Sequence, residues 1–187
     1  MQSYENELRT VISHFAIEGS LVFLKANKEG HINSTFISTF EENGLFRKYT
    51  HQRINNYVFK KPIEVMKNIS AVTNHIRSKL IGNFDDIDQR CLRVVRTREG
   101  KPVHIDSEGG YWRTYHYIDN VRTFNTIQDE PQAYLLGEAI GNFQLQLSDF
   151  DGESLYETIP HFHDMGLRYE QLEAALDVNH NSRLDLV

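Results

Sequence analysis

Residues 35–54 read TFISTFEENGLFRKYTHQRI and hold the strongest structural signal in the chain. Two β-rich runs meet at Asn43-Gly44, the dipeptide favoured in two-residue hairpin turns because both central residues must adopt positive φ. A further β-rich run at 21–26 is joined to them by a polar turn that ends in Gly30. The sequence therefore predicts a meander of three antiparallel strands.

A long helix is predicted directly after the meander. Pro62 suits the first turn of a helix, where its missing N–H costs nothing. Behind it, apolar residues recur every three or four positions, which is the spacing of one helix face. They are Ile63, Met66, Ile69, Val72, Ile76 and Leu80. A shorter stripe of the same kind, made of Leu8, Val11, Ile12 and Phe15, predicts a helix that opens the chain.

The remaining sequence predicts more strands and then only helices. The run 91–97 reads as a strand, 103–105 can return after the turn at Glu99-Gly100, and 111–118 is aromatic and strand-like. Pro131 marks the start of a helix, and a last helix is predicted around Arg168 to Leu176. We therefore expect a boundary within residues 118–125, with a sheet before it and helices after it.

Two glycines in the helix after Pro131 predict a close contact. Gly137 and Gly141 lie four residues apart. Glycine costs about 1 kcal/mol in a helix interior, so the pair suggests that another backbone packs closely there.

Composition and charge narrow the classes of partner. With 20 Lys and Arg against 26 Asp and Glu, the net charge is −6, and the basic residues form no patch typical of nucleic-acid binding. The single cysteine, Cys91, cannot form an internal disulfide, which favours a reducing compartment. No apolar run approaches the ~20 residues of a membrane span, and the first residues lack a secretory pattern. We expect a cytoplasmic protein with a small-molecule partner and without a nucleic-acid or membrane partner.

An ordered set of short segments spans almost the whole chain. The segments are Gly30 to Phe36, Gln52 to Asn55, Val58-Phe59, Met66 to Ile69, Trp112-Arg113, Tyr117-Ile118, Gly141 to Phe143, Leu147, Ile159 to Asp164 and Arg168. Each segment alone is weak, but in this order the set resembles the aminoglycoside phosphotransferase-like superfamily, which has a protein-kinase-like fold, and its N-acetylhexosamine 1-kinase-like branch most closely.

The resemblance implies an α+β fold with two lobes. Residues 1–118 would form the small, nucleotide-binding lobe, an antiparallel sheet plus one long helix, and residues 119–187 would begin the helical large lobe. The implied reaction transfers the γ-phosphoryl group of ATP to a sugar or amino-sugar hydroxyl, with Mg²⁺ neutralising the phosphates. The exposed helices of an incomplete large lobe would favour self-association.

The chain departs from the family pattern at the catalytic loop. Such enzymes carry H-x-D-x-x-x-x-N, but the single H-x-D here is His104-Ile105-Asp106, and Tyr111 stands where Asn is required. We therefore expect the front portion of a longer kinase, with no catalytic base or metal ligand of its own. The alternative is a complete, non-catalytic binding or regulatory module with a kinase-like sheet.

The resemblance also implies nucleotide-binding positions. The turn between the first two strands, with Gly30, His31, Asn33 and Ser34, would cover the phosphates; an ordinary hairpin turn is the alternative. Alternation sends Gln52 and Arg53 to opposite faces, and Arg53 is favoured because a guanidinium binds phosphate with two hydrogen bonds. The alternative for Arg53 is a solvated strand charge. Glu64 could pair with this cation.

The resemblance further implies that the backbone of Tyr117, Ile118 and Asp119 would contact adenine.

His163, Asp164 and Arg168 are expected at the acceptor sugar or in a structural role near the cleft. Together with His161, the first two also allow a zinc interpretation, and hence a metal-dependent hydrolase. That interpretation lacks a further cluster of ligands in the sequence.

Overall fold

The computed structural model describes residues 2–27, 30, 32–179 and 182. Within them the fold is α+β, with a six-stranded antiparallel sheet and several helices. The helices are α1 (Gln2–Ser13), α2 (Pro62–Leu80), α3 (Ile87–Arg90), α4 (Glu130–Gln146) and α5 (Met165–Val178), with a short 3-10 turn at Gly152–Ser154. The strands are β1 (Ser20–Asn27), β2 (Ser34–Glu42), β3 (Leu45–Arg53), β4 (Val94–Val95), β5 (His104–Ile105) and β6 (Tyr111–His116).

The hairpin at Asn43-Gly44 is confirmed. Both residues have positive φ, 53° and 79°, and Glu42 of β2 pairs with Leu45 of β3 across the two-residue turn. The Gly44 N–H donates to Glu41 Oε1 over 2.6 Å. The helices predicted at the start of the chain and after Pro62 are confirmed as well.

The second half of the sheet differs from the predicted hairpin of 91–97 with 103–105. The strand order is β1-β2-β3-β6-β4, and β5 also pairs with β6. Val94 and Val95 pair with one part of β6, and His104 and Ile105 pair with the next part along the same edge. The strand β4 is short because residues 87–90 turn into a helix and Cys91 packs against α2.

Helix α1 covers one face of the sheet. Its apolar residues Leu8, Val11 and Ile12, with Phe15 just beyond its end, are all at most 4% exposed. They pack on strand residues that include Phe36, Phe40, Tyr49 and Trp112. This is the main hydrophobic core. Helix α2 packs elsewhere, where Met66 meets Ile54 and Val103, and its last turns meet Cys91.

His51 is a polar residue inside the α1 face. It is 1% exposed, with Nε2 2.7 Å from Ser38 Oγ and Nδ1 2.9 Å from Thr114 Oγ1. A neutral imidazole has one donor and one acceptor, and the two hydroxyls satisfy both. Burial lowers the pKa of His51 to about 3, so the ring is neutral in the folded protein.

The described chain after β6 is helical, as predicted, and its helices carry exposed apolar side chains. Asp129 and Asp164 cap α4 and α5 by accepting from the backbone N–H of Gln132 and Leu167. No residue of α4 is buried; Leu135, Leu136, Ile140 and Phe143 are each at least half exposed. Self-association through these helices stays a prediction.

The close packing expected at the α4 glycines is wrong for the described residues. A Cβ added at Gly137 or Gly141 would meet no atom within 4 Å. The chain divides into two compact units, Met1–Tyr156 and Glu157–Val187, with α5 in the second. Among the residues that the structure describes, no helix has the length and apolar character needed to cross a membrane.

Replacing His51 should remove a pH dependence of stability. Because the pKa of His51 is lowered on folding, the unfolded chain binds a proton below about pH 6.5 that the folded chain excludes down to about pH 3. The free energy of unfolding should therefore fall by roughly 1 kcal/mol per pH unit between about pH 6 and 4 because of this residue. Urea denaturation followed by circular dichroism across that range measures the slope.

The matched variant is His51→Gln, which keeps one donor and one acceptor but does not titrate. The pKa of His104 and of His116 is also lowered by burial, so both proteins will lose stability in acid. The difference between the two slopes isolates His51. Equal slopes would show that the His51 imidazole does not cause this pH dependence of the free energy of unfolding.

Candidate functional site

A large cavity lies against the sheet face opposite α1. It has a volume of about 760 Å³ and is bordered by that face, by α2, by the segment after β6 and by Phe143 of α4. The strands contribute Thr50, Gln52, Arg113 and Tyr115. We call it the sheet cavity. Its size is typical of a small-molecule site.

Arg113 supplies a positive charge to the sheet cavity. Its side chain is half-buried, and its Nε donates to Gln52 Oε1 over 2.9 Å. The guanidinium also contacts Met66 Sδ at 3.9 Å and the Tyr115 ring at 5.3 Å from its centre. No carboxylate among the described residues lies within 4 Å of it to form an ion pair. A guanidinium in this state can bind an anion through two N–H donors.

The polar contacts of Arg113 continue across the sheet. Gln52 accepts from Arg113 on β6 and donates through Nε2 to Thr35 Oγ1 on β2, over 3.1 Å. The three side chains thus form one hydrogen-bonded row over β6, β3 and β2. Because Gln52 is held at both ends, the row fixes where the guanidinium points.

Of the two candidates on β3, Gln52 lines the sheet cavity and Arg53 lies on the opposite face. Arg53 reaches Glu108 Oε2 at 3.3 Å and Asp106 Oδ2 at 3.7 Å. It borders a separate cavity of about 320 Å³ together with Ser34 and Gly109. Its charge is therefore met by two carboxylates, unlike that of Arg113.

Asp106 organises the turn between β5 and β6. Its side chain is 3% exposed and accepts from the Gly110 and Glu108 N–H groups, at 2.6 and 3.0 Å, and from Trp112 Nε1 at 2.7 Å. Burial alone would raise the pKa of this carboxyl. The three donors and the Arg53 charge together lower it by more, so the pKa of Asp106 lies below its usual value. Gly110 lies so close to the side-chain ends of Asp106 and Arg53 that an added Cβ would force one of them to shift. The H-x-D at 104–106 thus carries a structural aspartate.

The turn between β1 and β2 is tied to the end of β3. Asn33 Oδ1 accepts from the Asn55 N–H at 3.0 Å, and Asn55 Nδ2 donates to the Ile32 carbonyl at 3.1 Å. Gly30, Asn33 and Ser34 border a cavity of about 420 Å³. Asn27 borders both this cavity and the sheet cavity. His31 lies outside the described residues.

The segment after β6 forms one wall of the sheet cavity through Tyr117 and Ile118. The Tyr117 N–H donates to the Lys48 carbonyl at 3.0 Å, and Lys48 Nζ pairs with the Asp119 carboxylate at 2.9 Å. The Ile118 N–H and C=O make no hydrogen bond with the described residues. Among the described residues, these two backbone groups are therefore left to water or to a ligand.

The other predicted residues form local contacts. Glu64 pairs with Lys61 at 3.2 Å in the first turn of α2. In the second unit, His161 Nδ1 lies 3.1 Å from Asp164 Oδ2, and Arg168 donates to the His161 carbonyl at 3.3 Å. The His163 ring packs against that of Phe162. This arrangement caps α5, and the Leu167 N–H and His161 hold the pKa of Asp164 below its usual range.

The described residues provide no set of ligands for zinc or Mg²⁺. No group of three or more His, Cys, Asp or Glu side chains among them could hold a metal ion. Mg²⁺ in nucleotide sites is bound by one or two carboxylates besides the phosphates. The described lining of the sheet cavity contains no Asp or Glu, so these residues do not fit Mg²⁺.

Sequence reasoning did not select Arg113 as a site residue. Alternation alone places Arg113 on one face with Tyr111, Tyr115 and Tyr117. What makes it a site residue is the pairing of Gln52 with Arg113 across β3 and β6, 61 positions apart in the chain. A signal of that kind requires the strand register.

Replacing Asp106 by Asn should destabilise the fold. Asn offers one acceptor oxygen to donors that now meet a carboxylate, and it removes the charge that faces Arg53. We expect a loss of about 2 kcal/mol in the free energy of unfolding, as for hydrogen bonds to a buried charged group. Thermal or urea denaturation measures it.

Asp119→Asn is the matched control, because Asp119 is 51% exposed and its one ion pair among the described residues is with the exposed Lys48. Such surface pairs contribute little, so this variant should stay within about 0.5 kcal/mol of the unmodified protein. Equal losses in the two variants would contradict a special role for Asp106.

No protein-family model matches the chain. The functional interpretation therefore depends on the arrangement of its own residues. Three features of the sheet cavity support it. Arg113 has no carboxylate partner among the described residues, Gln52 and Thr35 continue its hydrogen-bonded row, and the Ile118 backbone has no partner among those residues.

Proposed function

We propose that this chain forms the nucleotide-binding part of a kinase-like phosphotransferase, one that transfers the γ-phosphoryl group of ATP to a sugar or amino-sugar hydroxyl. The sheet cavity is the ATP site in this proposal. The observation that carries it is Arg113, a half-buried guanidinium that meets no carboxylate among the described residues and faces a cavity of about 760 Å³. A buried cation without a counter-ion is costly to keep, and a bound phosphate would supply the missing charge.

The element order supports the kinase-like part of the proposal. Three meander strands are followed by α2 and then by the strands that complete the sheet, in the order β1-β2-β3-β6-β4. The helices that follow begin only after β6 ends at His116. This support is an analogy at the level of fold, and folds of one kind host several functions. A small lobe over 1–118 and a large lobe beginning at 119 stay part of the proposal.

The cavity offers separate groups for the two ends of a nucleotide. Arg113, with Gln52 beside it, would hold the phosphates, and the turn with Gly30, Asn33 and Ser34 would cover them. At the wall after β6, the Ile118 N–H and C=O would donate to and accept from the edge of the adenine ring. One donor and one acceptor in adjacent positions suit a base edge.

Catalysis needs groups that the described cavity lacks. A phosphotransferase uses a carboxylate base and carboxylate-bound Mg²⁺, and the described lining has neither. We therefore expect these residues to bind ATP without turning it over. The roles of His163, Asp164 and Arg168 at an acceptor sugar remain part of the proposal.

The position of Arg113 beside the sheet cavity also favours a second candidate, a non-catalytic nucleotide-binding or regulatory module. Its cavity would need Arg113 and the Ile118 backbone but no carboxylate. Phosphoryl transfer to an amino sugar by the natural full-length protein would decide for the first candidate. Nucleotide binding by that protein without transfer would decide for the second.

Removing the Arg113 charge should weaken ATP binding. We expect Arg113→Gln to raise the ATP dissociation constant about tenfold or more, because a charge-assisted bidentate contact is lost. Arg113→Lys should recover part of the affinity, since it keeps the charge but not the fork geometry. Isothermal titration calorimetry, or competition with a fluorescent ATP analogue, measures these constants.

Arg47→Gln is the matched control, because Arg47 is 55% exposed on β3 and pairs with Glu42. It should bind ATP as the unmodified protein does. Adenosine lacks phosphates and should bind equally well with and without the Arg113 charge. Failure of the unmodified protein to bind ATP, or unchanged ATP affinity in Arg113→Gln, would refute the proposed site.

A further inference from the structure

We propose that a second cavity, distinct from the sheet cavity, binds a small organic anion with an apolar body and a carboxylate or phosphate group. It has a volume of about 600 Å³ and lies between the end of α1, the start of α2, the turn at 97–101 and β5. We call it the histidine cavity, after His14 and His104 in its wall. Among the described residues, none lines both this cavity and the sheet cavity.

The two histidines are stacked. Their ring centres lie 4.0 Å apart with planes inclined by 14°, and the Phe15 ring meets His104 edge-on. Burial and then the neighbouring charge of His14 lower the pKa of His104. Imidazole N–H groups are hydrogen-bond donors to anions. A bound anion would also offset the repulsion between the two rings when they carry protons.

Cations outnumber carboxylates around the histidine cavity. Lys67, Arg98 and Lys101 line it, and Glu99 is the one carboxylate among its described lining residues. Glu99 is already paired with Lys101 at 2.7 Å. The excess of positive charge is notable in a chain whose net charge is −6.

Lys67 is the cation best placed for a ligand. Its Nζ lies 3.5 Å from the Tyr156 hydroxyl and 5.1 Å from that ring's centre, and no described carboxylate lies within 4 Å of it. Arg98, by contrast, donates to the Ser13 and Ile17 carbonyls and lies 4.0 Å from Glu18. Lys67 is exposed, so its charge is hydrated and stays accessible to an incoming anion.

The remaining wall is apolar, which indicates a ligand with an apolar body. Ile63 and Ile105 are 44% and 47% exposed, and Val103, a member of the core cluster with Met66, also lines the cavity. Sites for small organic ligands combine such apolar walls with a few placed polar groups. An inorganic ion would leave this surface unused.

Histidine-selective NMR with phenyl phosphate and benzoate as probes tests the proposal. We expect the Cε1–Hε1 signals of His14 and His104 to shift saturably, and His116, which borders the sheet cavity, to report separately on binding there. The pKa of His104 should rise on binding, because the anion stabilises the protonated ring. The other charged groups that face the two histidines are Lys67, Arg98, Lys101, Glu99 and Asp106, and they are the same with and without the probe. Benzyl alcohol, which is neutral, should leave the signals of both stacked histidines in place.

Lys67→Met should weaken binding of the anionic probes about tenfold, because it removes one charge-assisted contact. Lys60→Met is the matched control, since Lys60 is exposed and does not border the cavity. The proposal is refuted if the two stacked histidines show no saturable shift at about 10 mM probe, or if benzyl alcohol shifts them equally. Equal affinities in Lys67→Met and Lys60→Met would refute it as well.

Discussion

The pairing of β3 with β6 is the constraint on which the rest of the molecule depends. The register runs from Tyr49 opposite His116 to Arg53 opposite Trp112. A slip of one residue would send every side chain of one strand to the wrong face. This single ladder brings Gln52 to Arg113 on one face and, on the other, the histidine of β3 to Thr114.

Each face of the sheet fixes this register in a different way. Under α1, the buried His51 imidazole makes one hydrogen bond to a hydroxyl on each neighbouring strand, Ser38 on β2 and Thr114 on β6. A displaced strand would leave these polar groups buried and unpaired, at about 1–3 kcal/mol each. On the opposite face, the hydrogen-bonded row from Arg113 through Gln52 to Thr35 lies in the proposed binding site. The buried network thus specifies the alignment that the candidate site uses.

The elements with local signals were predictable from the sequence. Asn43-Gly44 determines its own turn, and the stripe behind Pro62 determines α2, because both depend on residues a few positions apart. The two short strands β4 and β5 fall inside predicted strands, but their pairing with β6 was not predictable, since it depends on contacts distant in the chain. The same reason applies to the site: alternation separates Gln52 from Arg53, but the pairing that gives Gln52 a cation is invisible without the register. The glycines of α4 show the opposite error, in which a local pattern suggests a contact that the described chain does not make.

What separates a structural cation from a candidate ligand-binding cation here is the presence of a carboxylate. Arg53 and Arg77 each meet aspartate or glutamate oxygens, so their charges are balanced within the fold. Arg113 and Lys67 meet only neutral groups among the described residues. Arg113 is half-buried, so without a counter-ion it loses hydration that its internal contacts do not restore, and this weakens the fold unless something else supplies the opposite charge. Lys67 is exposed and keeps its hydration, so its charge is accessible without being costly. Both cations border cavities large enough for a small organic molecule, and both proposals therefore assign the opposite charge to a ligand.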